Sequence, residues 1–231
     1  MKINFKRETS NYMITQQYFD FLSGLKANND KIWFTENKPQ YEKLKSDFEK
    51  IVSELINEVS IFEPKVSILK PKDCVFRIYK DVRFSKDKLP YKTNMGAFFV
   101  PGGKKSGMAG YYIHIEPGAC FLGGGIYMPQ PPILKNIRDE VYYNYEEFLK
   151  VISEKNFVKY FKTISGSKTT LIPKGFPKDF AGADYLKFKD FTVLHEVKDN
   201  FLTDKSALKN TIEIFKAMKP FNDFLNTTFV S

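Results

Sequence analysis

The apolar residues of this chain change their spacing twice, and this change limits the folds that the chain can adopt. In the first quarter they recur every three or four residues, as in amphipathic helices. After Pro64 the pattern becomes extended, and from Pro131 it becomes helical again. The order of helices, strands, helices, one strand and a final helix predicts an α+β domain in which helices cover one face of a mostly antiparallel sheet.

Two helices are predicted in the N-terminal part. Thr15 is a typical N-cap residue, and the run that begins at Asn28 should end the first helix. A second helical pattern begins near Lys31 and contains Pro39, so we expect a break there or a restart with the proline in the first turn. The apolar stripe of this helix, which is typical of a core-facing surface, consists of Tyr41, Leu44, Phe48, Ile51, Val52, Leu55, Ile56 and Val59.

The middle of the chain predicts an antiparallel meander. Its last two strands are separated by Pro117 and Gly118, a pair that favours a hairpin turn. The expected strands are 66–69, 75–84, 97–100, 111–116 and 120–127.

The remaining third is mostly helical. Its first apolar face consists of Ile133, Leu134, Ile137, Val141, Tyr145, Phe148 and Ile152. We expect a shorter helix at 155–162, a strand at 191–197, and a final helix from Thr203 that kinks or stops at Pro220. The Gly-, Pro- and Lys-rich stretch 165–182 predicts a long surface loop, with one short strand at 169–172.

The size of the chain fits one domain. Its 231 residues can bury a sizeable core, and we expect a polar tail at 1–14 followed by a single α+β domain at 15–231. The content of 23 Phe and 13 Tyr excludes a disordered chain and predicts a core built largely from rings.

Charge and cysteine content suggest the surroundings of the protein. The formal net charge of +9 favours anionic partners. Cys74 and Cys120 lie far apart and outside any Cys-x-x-Cys motif, as expected in a reducing compartment. No apolar run has the length of a signal peptide or membrane span, so we expect a soluble, cytoplasmic protein without a membrane partner.

The stretch 75–92 holds the strongest candidate site. As a strand, residues 75–84 would carry Arg77, Tyr79, Asp81 and Arg83 on one face and Phe76, Ile78, Val82 and Phe84 on the other. Two arginines with a carboxylate between them can clamp a phosphate or carboxylate, with Asp81 orienting one of them. Lys88 and Tyr91 would then close the rim. The other predicted ligand-binding residues are Lys80, Asp87 and Lys92.

A candidate acid–base pair follows on the next clear strand. His114 and Glu116 share a strand face with Tyr112, and a histidine beside a carboxylate is suited to proton transfer. We expect His195 to have a core or edge role, because its neighbours on the same face are apolar. No metal and no cofactor are predicted. The histidines and cysteines lack ligand spacing, and the glycines at 123–125 do not form a dinucleotide fingerprint.

These observations support three hypotheses. The first is a site for a phosphorylated or carboxylated small molecule. The second is a nucleic-acid-binding module that uses basic residues and exposed rings, although Asp81 would repel a phosphate chain. In the third, the charged residues only form salt bridges that hold the 85–94 loop on the sheet. All three stay open at this point, as does the question of catalysis.

The same residues resemble a known family. The pattern Arg77-x-x-Lys80-Asp81-x-Arg83-Phe84-x-x-Asp87-Lys88-x-x-Tyr91 is similar to the signature R-x-x-[RK]-D-x-R-F-x-x-[DN]-K-x-x-Y of the bacterial family called domain of unknown function 2461. Further similar blocks are Asn28-Asn29-x-x-x-Trp33-Phe34-x-x-Asn37-Lys38-x-x-Tyr41, Tyr111-Tyr112-x-His114-x-Glu116-Pro117-Gly118 and Gly123-Gly124-Gly125-x-Tyr127-Met128-Pro129, the family often having Trp where this chain has Tyr127. The resemblance implies a single-domain protein of this length, and it supplies no reaction.

Overall fold

One four-stranded antiparallel sheet organises the structure, a computed structural model that describes residues 13–81, 83 and 87–229. Each strand pairs with the next one along the chain, so the sheet is a simple meander in the order β1-β2-β3-β4. The strands are β1 (Met95–Phe99), β2 (Gly110–Ile115), β3 (Phe121–Ile126) and β4 (Phe191–Glu196). With its flanking helices this sheet confirms the predicted α+β class.

The helices precede, interrupt and follow the sheet. Their bounds are α1 (Gln16–Ala27), α2 (Lys31–Ser60), α3 (Pro71–Cys74), α4 (Pro131–Tyr143), α5 (Tyr145–Ser153), α6 (Lys155–Phe161), α7 (Ala183–Leu186), α8 (Asp199–Thr203) and α9 (Ala207–Asn226). Two 3₁₀ turns lie at Pro64–Val66 and Thr227–Phe229. Within the described ranges, no helix combines the length and apolar character that a bilayer span requires.

Both internal prolines lie within continuous helices, so the break or restart predicted at Pro39 and a stop at Pro220 are corrected. Helix α2 runs through Pro39, and α9 runs through Pro220. Core side chains flank each proline: Phe34 and Tyr41 are buried on the two sides of Pro39, and Met218 and Phe221 on the two sides of Pro220. Breaking either helix would expose these residues, so packing outweighs the cost of about 3 kcal/mol for an internal proline.

The described residues 75–81 do not form the strand that the sequence predicts at 75–84, and this too is a correction. Val75 and Ile78 are both buried, although an alternating strand would place them on opposite faces. In this described part the segment makes isolated bridges, from Val75 to Ala97 and from Tyr79 to Tyr91. It thus leaves the edge of β1 to pair with the chain around Tyr91. Val82 and Phe84 lie outside the described residues.

Three smaller predictions are also corrected. Residues 66–69 and 169–172 are not strands; Lys168 forms an isolated bridge with Phe188 in the second region. Met13 and Ile14, which we assigned to the polar tail, are buried, and the backbone N–H of Ile14 donates to the Leu202 carbonyl at 3.1 Å. Residues 1–12 of the predicted tail are outside the described part.

The two faces of the sheet have different surroundings. Helix α9 packs along one face, where Phe215 contacts Tyr111 and Phe99. His195 lies toward this side, where its Nδ1–H donates to the Tyr160 carbonyl at 2.8 Å. The opposite face carries side chains that stay partly exposed, and we call it the open face. It consists of Phe98, Tyr112, His114, Phe121 and Leu194.

A test of this packing is the substitution Gly124→Ala. The added Cβ would overlap the Met218 Sδ atom and the Gly110 carbonyl oxygen, so α9 would have to move away from the sheet. We expect the free energy of unfolding to fall by about 1–3 kcal/mol, measured by urea denaturation. Leu194→Ala, on the open face, is the control and should cost less than about 1 kcal/mol. Equal losses in the two variants would contradict the assignment of faces.

Candidate functional site

A chain of hydrogen bonds crosses the open face at β2. The Tyr112 hydroxyl lies 3.0 Å from His114 Nδ1, and Glu116 Oε2 lies 3.1 Å from His114 Nε2. The three residues are spaced two apart, so the strand places their side chains on the same face. The structure therefore brings the predicted pair His114 and Glu116 into direct contact and adds Tyr112 to it. We call these three residues the triad.

The neighbours of His114 define where its ring proton lies. A carboxylate can only accept, so Nε2 carries the proton and donates to Glu116. The Asn94 Nδ2 group lies 3.3 Å from Nδ1, on the same side as the Tyr112 hydroxyl. Both of these groups can donate to an unprotonated Nδ1. Nδ1 is thus the basic atom of the triad, and it faces the phenol oxygen.

The remaining contacts hold the triad in place. Thr93 Oγ1 donates to Glu116 Oε1 at 2.8 Å. The His114 ring stacks on Phe121, with ring centroids 4.5 Å apart. A Cβ at Gly96 would lie 2.5 Å from the Tyr112 hydroxyl, so only glycine lets the ring lie across β1 at this height. The geometry depends on β1, β2 and β3 together.

Burial determines the protonation states of the triad. It lowers the pKa of His114, and the bond to Glu116 offsets this only in part, so the ring is neutral at pH 7. It also raises the pKa of Tyr112 to about 12, with a further contribution from the charge of Glu116. For Glu116, burial acts to raise the pKa, but the bonds from His114 and Thr93 outweigh it and the net shift is downward. A protonated phenol, a neutral imidazole and an ionised carboxylate thus stand in line.

Positive charges collect next to the triad. The Phe76 ring packs edge-on against Tyr112 at 6.0 Å, and Lys104 and Lys92 place their Nζ atoms 4.8 and 5.4 Å from the Phe76 centroid. Lys104 Nζ also donates to the Val75 carbonyl at 2.9 Å. With Arg77, whose charge acts on Lys92, these lysines form what we call the cation cluster.

The pKa values of both lysines in the cluster are lowered. Burial lowers the pKa of Lys92, and the charges of Arg77 and Lys104 lower it further. Burial lowers the pKa of Lys104 as well, while Cys74 and Asp73 partly oppose this. Among the described residues, no carboxylate lies within ion-pair distance of Arg77, Lys92 or Lys104.

Other charged residues of the predicted site form ion pairs with one another. Arg83 donates to both carboxylate oxygens of Asp81, from Nη2 at 2.7 Å and from Nε at 3.0 Å. These bonds lower the pKa of Asp81 to about 2. Lys80 pairs with Asp87 at 2.6 Å, and Lys88 is exposed. Asp81 therefore holds the Arg83 guanidinium in a pair that lies on the surface.

Tyr91 occupies a different place from the predicted rim. Its ring is buried and stacks on Phe34, with centroids 4.0 Å apart and planes inclined by 17°. Asn29 holds its backbone from both sides, donating to the carbonyl at 3.0 Å and accepting from the N–H at 3.1 Å. Tyr91 therefore anchors the segment to α2 and does not line an open rim.

Sequence reasoning missed several residues of this region. The contribution of Tyr112 could have been inferred, because it shares the two-residue spacing of His114 and Glu116. Phe76 gave no such signal, and the place of Lys104 beside it could not be inferred, since the loop after β1 brings Lys104 back over the chain before β1. Asn94 and Thr93 belong to the segment 85–94, which was predicted only as a loop between strands.

Other chemistry finds little support in the described part of the chain. No group of three or more His, Cys, Asp or Glu side chains there could hold a metal ion. Cys74 and Cys120 are free and buried. Burial raises the pKa of Cys74 to about 11 and that of Cys120 to about 12, so both remain thiols at neutral pH.

Comparison with known proteins gives one result. Residues 17–224 match the family described as "Conserved hypothetical protein (DUF2461)". The chain belongs to this family. The DUF2461 match begins in α1 and ends in α9, so it includes both the triad and the cation cluster. No curated protein and no solved structure matches the sequence.

The lowered pKa of His114 predicts how stability depends on pH. Folding lowers this pKa from 6.5, so below about that pH the unfolded chain binds more protons than the folded chain does. The free energy of unfolding should therefore decrease from about pH 7 downward, and the lowered pKa of Glu116 adds a further loss below about 4.5.

Urea denaturation at several pH values between about 5 and 8 measures this dependence. His114→Gln should reduce the slope in this range, whereas His195→Gln serves as the matched control and should retain the contribution of His114. If His114→Gln has the same pH slope as the wild type, the histidine is not held in its neutral form.

Proposed function

We propose that the cation cluster binds an anionic small molecule that carries a phosphate or carboxylate group. The observation that supports this is the placement of Lys92 and Lys104 beside Phe76, with the charge of Arg77 acting on Lys92 and no ion-paired carboxylate among the described residues. Bringing like charges together costs free energy, and partial burial of Lys92 adds to that cost. A bound anion would offset both.

Two other cations of the same segment differ from the cluster, because each of them is ion-paired. Arg83 and Lys80 each have a carboxylate within hydrogen-bond distance, supplied by the same short segment. Exposed pairs of this kind contribute little to stability, because water screens their charges. In the proposal they stabilise the loop, and the ligand contacts belong to Arg77, Lys92 and Lys104, with Lys88 adding positive potential at the surface.

The donor types favour oxyanions. Arg77 offers a planar fork that matches two oxygens of a phosphate or carboxylate, and the two lysines act as point charges. The Phe76 ring between the ammonium groups provides an apolar surface for the part of the ligand next to its charged group. A site of this composition suits a small, partly apolar anion.

A binding experiment with defined probes tests the proposal. Pyrophosphate, AMP and citrate are titrated at constant ionic strength, with thermal unfolding and calorimetry as readouts. We expect at least one probe to raise Tm, and Arg77→Met or Lys92→Met to weaken its binding about tenfold or more, since a hydrogen bond to a charged group contributes about 1.5–3 kcal/mol. The matched control is Arg83→Met, which removes a paired cation and should keep binding within about threefold.

Lys92→Met should also stabilise the protein without ligand, because it removes a partly buried charge from between two others. No response to any probe, or equal affinities in the wild type and Lys92→Met, would refute the anion site.

The row of rings on the open face favours a second candidate function, binding of single-stranded nucleic acid. Phe98, Tyr112 and Phe121 are partly exposed on neighbouring strands beside the cation cluster, and such rings can stack on bases at about 1–3 kcal/mol each. If this function holds, fluorescence anisotropy should detect oligonucleotide binding that weakens steeply with salt and is lost in Phe98→Ala. Oligonucleotide binding that is absent or does not depend on salt would contradict this second function, and the small-molecule site would be the remaining proposal.

A further inference from the structure

We infer that Tyr112, His114 and Glu116 act as a nucleophilic triad, in which the Tyr112 phenol oxygen attacks an electrophilic phosphorus centre. The basis is the line of hydrogen bonds from the phenol through His114 to Glu116, at 3.0 and 3.1 Å. The choice of a phosphoryl substrate rests on the proposed anion site, whereas the nucleophilic chemistry of the triad does not.

The arrangement has the connectivity that activates a weak nucleophile. A hydroxyl that is protonated at neutral pH needs a base within hydrogen-bond distance, and the base needs a third group that fixes its orientation. His114 Nδ1 is that base, because its other nitrogen is committed as a donor to Glu116. Thr93 and Phe121 hold the carboxylate and the ring in position.

The reaction can be written so that every bond is accounted for. The Tyr112 oxygen forms a bond to phosphorus while its proton moves to His114 Nδ1. The bond from phosphorus to the leaving oxygen breaks, and that oxygen takes the proton from His114 and departs as an alcohol. A water molecule then attacks the phosphotyrosyl group, gives one proton to His114, and the phenolate of Tyr112 leaves and recovers that proton. No oxidant, reductant or further reactant is needed.

The surroundings of Tyr112 suit this role. The hydroxyl lies over Gly96, which has no side chain, and the ring forms part of the open face, while burial raises the pKa of the phenol. The cations beside Phe76 lie next to this ring, where they favour negative charge on a bound phosphoryl group. A triad that served only to fasten the 93–94 segment to β2 would not require the phenol to be reactive.

Covalent labelling of the full chain tests the inference without a known substrate. Diisopropyl fluorophosphate is an uncharged phosphorus electrophile that releases fluoride when a nucleophile attacks, and peptide mass spectrometry locates the adduct. We expect Tyr112 to be labelled at least about tenfold faster than Tyr127 and Tyr143, which are 73% and 76% exposed. The labelling rate should rise as His114 loses its proton and reach a plateau near neutral pH.

Variants separate catalysis from structure. His114→Gln should slow the labelling of Tyr112 at least about tenfold and Tyr112→Phe should abolish it, whereas His195→Gln should leave it unchanged. Thermal unfolding of each variant shows whether it is folded, and the comparison with Tyr127 and Tyr143 within the wild type needs no variant. Preferential labelling of the two exposed tyrosines, or labelling of Tyr112 that is equally fast in folded His114→Gln, would overturn the inference. Because the reagent carries no charge, pyrophosphate binding without Tyr112 labelling would reject the triad and leave the anion site intact.

Discussion

The close packing of α9 on the sheet sets the position of everything else in this fold. At Gly124 the helix comes so near that Met218 fills the space that a Cβ would occupy. Asn222 extends the contact by donating to the Gly110 carbonyl at 3.0 Å, and Asn226 bonds to both backbone groups of Ala109. One face of β2 and β3 is thereby sealed. The polar side chains of β2 must lie on the other face, and this is why Tyr112, His114 and Glu116 meet there.

Phe76 connects the two parts of the site. Its backbone N–H donates to the Gly96 carbonyl at 2.9 Å, which extends the edge of β1 by one bond before the chain turns away. Its ring packs against Tyr112 and also contacts the ammonium groups of Lys92 and Lys104. A single residue thus fixes the distance between the cation cluster and the triad. The same bond partly covers an edge strand that would otherwise present unpaired backbone groups.

The features of the fold that depend on local sequence could be predicted, whereas those that depend on packing with distant elements could not. The stripe from Tyr41 to Val59 and the hairpin at Pro117 and Gly118 follow from spacing alone, and the structure confirms both. The break predicted at Pro39 and a stop at Pro220 do not occur, because the packing that keeps these helices continuous comes from distant elements. The segment after Val75 was misjudged for a related reason. Its partner is the chain around Tyr91, and the positions of Val75 and Ile78 reflect that pairing and not a regular strand.

The charge pairs of the candidate site also could not be predicted from the sequence. Residue types alone reveal six cations and two carboxylates between Arg77 and Lys92, but they cannot show which charges meet. In the structure both carboxylates are taken, Asp81 by Arg83 and Asp87 by Lys80. Arg77 and Lys92 remain beside Lys104, a residue from outside the segment. One part of the segment therefore forms salt bridges, and another part contributes to the candidate binding site.

The electrostatics of the two parts are complementary. The triad already holds one negative charge on Glu116, and moving a proton from Tyr112 to His114 would place a second one on the phenol oxygen while a positive charge forms on the imidazole. Glu116 stabilises that imidazolium directly. The imidazolium, whose Nδ1 lies 3.0 Å from the phenol oxygen, also stabilises the phenolate. The cations of the cluster lie beside the Phe76 ring that packs on Tyr112. An anion held there would neutralise those cations and bring its own electrophilic atom toward the phenol, so ligand binding and activation of Tyr112 would depend on the same group of cations.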